Sequence, residues 1–139
     1  VATDDVVEIL RGLALFADLS RPQLEAAAHT FDEELVPEGQ RVIRQGFGGT
    51  SFYVILDGEA SVRVDGEERA TLTRGDYFGE VSVLLEAPPI ADIVATRPLR
   101  CLVLAGGDLE GFLVMYPHVM YRMLQTQARR LQSATQWRS

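Results

Sequence analysis

The stretch Phe52–Asp76, FYVILDGEASVRVDGEERATLTRGD, decides the fold. Its apolar alternations stop at Asp57-Gly58, at Asp65-Gly66 and at Arg74-Gly75-Asp76. Asp-Gly between two alternating runs is a hairpin signal, because a tight hairpin turn needs positive φ at both central residues. Upstream, Leu35-Val36 runs into Pro37-Glu38-Gly39, and Val42-Ile43 into Gly46-Phe47-Gly48-Gly49. Downstream, a further strand pair is expected past Ile93, with Leu102-Val103-Leu104 as its last member. Short apolar runs separated by turns about every 8–12 residues indicate an antiparallel all-β body, not a βαβ sheet.

Helical periodicity flanks this body. Val6, Val7, Leu10 and Leu13 share one stripe of a short opening helix. Ser20-Arg21-Pro22-Gln23 starts a second helix running to about His29. Ser20 is placed to cap it, Gln23 to complete a capping box, and Pro22 to sit in the first turn. After the strands, Gly106-Gly107-Asp108 leads into a helix with Leu109, Phe112, Leu113 and Met115 on one face, broken at Tyr116-Pro117. A last helix from His118 carries Met120, Met123, Leu124, Gln127 and Leu131 at helical spacing. The expected layout is one domain over 1–139: helices at about 3–29, strands at about 30–105, and two C-terminal helices at about 107–134. The class is mainly β with flanking helices.

Composition narrows the function. The chain has 139 residues with 47% hydrophobic and 24% charged residues, so one packed core is affordable without disulfides. Cys101 is the only cysteine and sits in an apolar run as a core thiol, in keeping with a reducing cytoplasm. No apolar run reaches the roughly 18 residues of a membrane span. The net charge of −7 disfavours binding of nucleic acid by this chain alone. All 13 basic residues are Arg. The acidic start Val1-Ala2-Thr3-Asp4-Asp5 is the reverse of a secretory n-region, and the absence of an initial Met suits a processed chain or a fragment.

The order of elements, the glycines at 46, 58, 66, 75 and 79, and the segment Phe78-Gly79-Glu80-Val81-Ser82-Val83-Leu84-Leu85-Glu86-Ala87-Pro88-Pro89-Ile90-Ala91 resemble the cyclic nucleotide-binding domain family. That family comprises the domains of catabolite-activator-type regulators, kinase regulatory subunits and gated channels. The resemblance runs from about Leu15 to Leu131. It implies an antiparallel β-roll, a jelly-roll-like double-stranded β-helix, with N-terminal helices, a short cassette helix and two C-terminal helices. It also implies a phosphate-binding cassette at Gly79, Glu80, Val81, Ser82, Pro89, Ile90 and Ala91. Gly79 would let the backbone approach a ligand, Glu80 would accept from a ribose hydroxyl, and N–H groups near Val81 and Ser82 would face the phosphate.

One position departs from the family pattern. Where the family has an arginine that pairs bidentately with the phosphate, this chain has Pro89, without charge or donor. Ile90 follows in place of a small donor, and Glu80, Glu86 and Asp92 leave the segment acidic with no local cation. Arg44, Arg74 and Arg97 are read as surface arginines, and Arg129-Arg130 as residues favouring a helix C-terminus. A metal-dependent β-roll enzyme is disfavoured, since His29 and His118 lie in helices far apart. No Gly-x-Ser-x-Gly elbow or phosphate loop with its lysine occurs.

The expectation is a non-enzymatic regulatory sensor domain with a degenerate site, akin to bacterial regulators. It requires no cofactor and binds cyclic AMP or cyclic GMP weakly or not at all. The alternative is a ligand-independent interaction or dimerisation module that keeps the fold. The expected partner is an effector domain or a separate protein reached through the last helix. Met120, Leu124 and Leu131 serve either a homodimer seam or packing back onto the β-roll. The sequence stops at Trp137-Arg138-Ser139, too soon for a DNA-binding domain, so the effector is expected either beyond the end of a fragment or on a separate partner.

Overall fold

The computed structural model describes residues 3–48 and 51–136. Val1-Ala2, Gly49 and Trp137-Arg138-Ser139, quoted above, lie outside them. The chain opens with α1 (Asp4–Arg11), a 3-10 turn at Ala14–Phe16, and α2 (Arg21–His29). Thr3 caps α1. The Ser20–Gln23 capping box at α2 forms as expected, with both reciprocal hydrogen bonds and Pro22 in the first turn. Leu13 lies beyond the end of α1 but is still buried.

The β body comprises β1 (Asp32–Val36), β2 (Arg41–Ile43), β3 (Ser51–Val64), β4 (Glu67–Leu72), β5 (Tyr77–Phe78) and β6 (Asp92–Ala105). The short helix α3 (Glu80–Leu85) lies between β5 and β6. All six strands belong to one antiparallel sheet: β3 pairs with β4, β5 and β6, while β6 also takes β1 and β2.

Two turn expectations part ways. Asp65-Gly66 is a two-residue hairpin turn with φ of 53° and 81°, joining β3 to β4. Asp57-Gly58 is not a turn: β3 runs straight through it, with register shifts between Ile55 and Ala60. Gly58 has φ 102°, and a Cβ there would lie 2.2 Å from the Pro98 carbonyl oxygen. The glycine therefore serves a bulge and a close backbone approach, the other use of Gly within a strand. The strand pair expected after Ile93 is likewise one continuous strand, β6, with Pro98 opposite the irregular part of β3.

β3 and β6 are apolar on both faces because each face packs a separate core. Phe52, Val54 and Leu56 of β3, with Leu102 and Leu104 of β6, pack against the helices. Ile55, Ala60, Ile93, Ala95, Leu99 and Cys101 point the other way, into the roll. This is the period-2 alternation of a strand buried on both sides. Burial pushes the Cys101 thiol up to about 12.

The chain ends with a 3-10 turn at Gly106–Asp108, α4 (Leu109–Met115) and α5 (Pro117–Gln136). Leu109, Phe112 and Leu113 are buried, and Phe112 meets Phe31 edge-on at 5.0 Å. Met115 is exposed, so it does not share that face. Val119 and Met123 dock α5 onto the helical core, whereas Met120, Leu124 and Leu131 are exposed. Among the described residues no helix is long and apolar enough to cross a membrane.

Candidate functional site

Gly79 sets the site. It N-caps α3 in the left-handed region at φ 91°, and a Cβ there would sit 2.1 Å from the Ser51 carbonyl oxygen. Only glycine suits both demands. The close approach pins the start of α3 against β3, so Glu80 enters the roll instead of facing solvent. At the other end Glu86 adopts φ 51°, and the Ala87 N–H donates to the Ser82 carbonyl. The chain then returns through Pro88-Pro89, where the Pro89 carbonyl accepts from the Gly46 N–H at 2.8 Å.

These elements surround a cavity of about 290 Å³. All seven residues singled out from the sequence line it: Gly79, Glu80, Val81, Ser82, Pro89, Ile90 and Ala91. Ile43, Val62, Val64, Leu72 and Ile93 supply apolar walls from the strands. Pro89 is buried, and Ile90 is 68% exposed. Neither Glu86 nor Asp92 is among the lining residues. Asp92 instead accepts from the Gln45 N–H at 2.7 Å, fastening the β2 end to β6.

Glu80 is 3% exposed. Its Oε1 accepts from Arg130 Nη1 at 3.2 Å, and its Oε2 is buried without a hydrogen-bond partner among the described residues. Burial pushes its carboxyl above the usual carboxylate range. Arg130 and the backbone N–H groups of Glu80 and Val81 pull the other way without cancelling it. The same Arg130 Nη1 also donates to Gln127 Oε1 at 3.1 Å, and the guanidinium lies 5.1 Å from the centre of the Tyr77 ring. Burial raises the Tyr77 phenol to about 12, and its hydroxyl donates to the Met123 carbonyl at 3.3 Å.

Arg130 is the cavity-lining residue that the sequence did not reveal. Its assignment to a helix C-terminus is corrected: six residues of α5 follow it, and it reaches into the cavity from the side. The signal was its phase. Val119 and Met123 mark the inward stripe of α5, and Arg130 lies two turns beyond Met123 on that stripe. A charged residue continuing a buried stripe needs a partner, and Glu80 is that partner. Arg44, Arg74 and Arg97 do not line the cavity, and Arg44 rests over the Phe47 ring instead. Among the described residues no cluster of His, Cys, Asp and Glu could hold a metal ion.

The sequence matches the cyclic nucleotide-binding domain family over residues 33–116, more than half of the chain. The chain belongs to that family. The catabolite activator protein of Thermus thermophilus superposes with a TM-score of 0.78 and 31% identity, covering 87% of this chain and 59% of that one. The N-terminal domain of a transcriptional regulator from Streptomyces coelicolor A3(2) gives 0.68 and 28%, covering 94% and 95%. Among curated proteins, the cGMP-dependent protein kinase of Eimeria tenella is 27% identical over 121 residues. That alignment takes in 87% of this chain but only 12% of the kinase, so this cyclic nucleotide-binding domain spans a small part of such relatives.

Proposed function

We propose that this is a non-catalytic, cytoplasmic regulatory sensor domain that binds cyclic AMP and cyclic GMP weakly or not at all. The observation that carries the reading is Pro89, buried on the cavity wall where the family pattern has its phosphate-pairing arginine. The one cation among the described lining residues, Arg130, is already engaged by Glu80. A cyclic phosphate would have to compete for it and strand a buried carboxylate, which is costly. Val81 and Ser82 line the cavity, but backbone donors alone would not replace a bidentate guanidinium.

Output runs through α5, which touches the cavity through Arg130 and offers Met120, Leu124 and Leu131 to a second copy or an effector. A ligand that binds one placement of α5 better than another would shift that helix, and only by its differential affinity.

Isothermal titration of the wild type and of Pro89→Arg with both nucleotides tests the proposal. The wild type should show no saturation below about millimolar nucleotide, and Pro89→Arg should gain at least about 30-fold, the lower end for restoring a desolvated charge partner. Micromolar binding by the wild type would refute the reading. A silent Pro89→Arg would instead favour the ligand-independent interaction module, in which Arg130 already holds Glu80.

A further inference from the structure

Glu80 Oε2 is a buried acceptor on the cavity wall that no donor among the described residues meets in hydrogen-bond geometry, although the backbone N–H groups of Glu80 and Val81 act on the carboxyl. Such an oxygen calls for a hydrogen-bond donor from outside the chain. The remaining charges of the cavity already balance. Glu80 contributes one negative charge and Arg130 one positive charge, paired at 3.2 Å. A ligand carrying net charge of either sign would leave an excess charge among apolar walls, which such an environment disfavours. The walls select further. Ile43, Val62, Leu72 and Ile93 form a lining suited to a ring or short hydrocarbon, and Ile90 extends it outward. The volume of about 290 Å³ is at the small end of ligand pockets.

We infer that the cavity takes a small uncharged ligand, an apolar ring system carrying a hydroxyl or N–H donor that binds the unpaired oxygen of Glu80. This rests on the reading of the cavity as a sensor site and replaces the nucleotide by a ligand class without a phosphate. Occupancy is reported to α5 because the carboxylate that receives the ligand is the one that holds Arg130.

Three related probes test it on the isotopically labelled wild-type chain, with amide chemical shifts of residues 79–93 as the readout. 2-Phenylethanol carries the donor, ethylbenzene lacks it, and phenylacetate replaces it with an anion. 2-Phenylethanol should bind at least about tenfold more tightly than either of the others, the discrimination expected of a hydrogen bond to a charged acceptor. Glu80→Met, checked for folding by circular dichroism, should bring 2-phenylethanol and ethylbenzene to equal affinity. Equal or tighter binding of the acetate overturns the inference. So does silence toward all three probes when Pro89→Arg binds cyclic nucleotide, because the cavity is then open and the weak-nucleotide reading stands. Tight cyclic-nucleotide binding by the wild type would instead remove the functional proposal beneath it.

Discussion

Removing Arg130 should destabilise the domain because of what it leaves behind. The Glu80 side chain is 4% exposed and the Arg130 side chain 44% exposed. Breaking a fully buried pair costs about 3–5 kcal/mol, and an exposed pair contributes below about 1 kcal/mol. A half-exposed guanidinium on a buried carboxylate falls between, so Arg130→Ala should cost about 2 kcal/mol, including roughly 0.5–1 kcal/mol for the lost contact with the Tyr77 ring. Glu80→Gln alone should be near neutral or stabilising, since it removes a buried charge whose second oxygen has no donor. In the Glu80→Gln background, Arg130→Ala should then cost only about 1 kcal/mol, the ring contact and packing. The assay is equilibrium urea unfolding of the four proteins. With an m-value of about 2 kcal/mol/M, Arg130→Ala in the wild type shifts the midpoint by roughly 1 M. An equal shift in both backgrounds would show that Arg130 acts through packing alone, and the argument from a stranded carboxylate would fail.

Two further outcomes follow from the same geometry. Gly79→Ala must place a Cβ 2.1 Å from the Ser51 oxygen at φ 91°, whereas Gly66→Ala, at φ 81°, meets nothing within 4 Å. Gly66→Ala should therefore cost about 1 kcal/mol of left-handed strain and Gly79→Ala at least about 2–3 kcal/mol, read as a clearly larger drop in melting temperature; equal drops would contradict the close approach. For pH, burial raises the Glu80 carboxyl above its unfolded value. Its contribution is fully present below the unfolded pKa and is lost as pH rises through the folded one. The stability of wild type relative to Glu80→Gln should accordingly fall as pH is raised above about 4.5, checked by urea midpoints at several pH values; a rising difference would reverse the assignment.

The local chemistry of this fold was legible in the sequence, and its long-range geometry was not. Ser20, Pro22 and Gln23 announced a helix start because a capping box is complete within four residues. Asp65-Gly66 announced its hairpin for the same reason. Asp57-Gly58 carries an identical dipeptide, but its glycine answers to Pro98, forty residues away, and nothing near Gly58 in sequence records that contact. The seven cassette positions could be placed on one wall because they form one short segment. Arg130 could not, since its partner lies fifty positions earlier and only the phase of α5 hinted at the meeting. Asp92 shows the converse: it is near the cassette in sequence and adds to the acidity of that segment, but its carboxylate holds the Gln45 backbone.

The long strand β6 also governs when this protein can fold. Its C-terminal half pairs with β1, Glu34 opposite Cys101, and its N-terminal half with β2, Arg41 opposite Val94. Until β6 has been made, β1 and β2 have no neighbour in the sheet, and β3 has only β4 and the short β5. A nascent chain therefore carries Phe52, Val54, Ile55 and Leu56 without that strand while about 50 further residues are added, which at about 5–20 residues per second lasts several seconds. Residues 92–105 supply the strand on which β1 and β2 pair, so a truncation before Ala105 should yield an aggregating chain instead of a smaller domain.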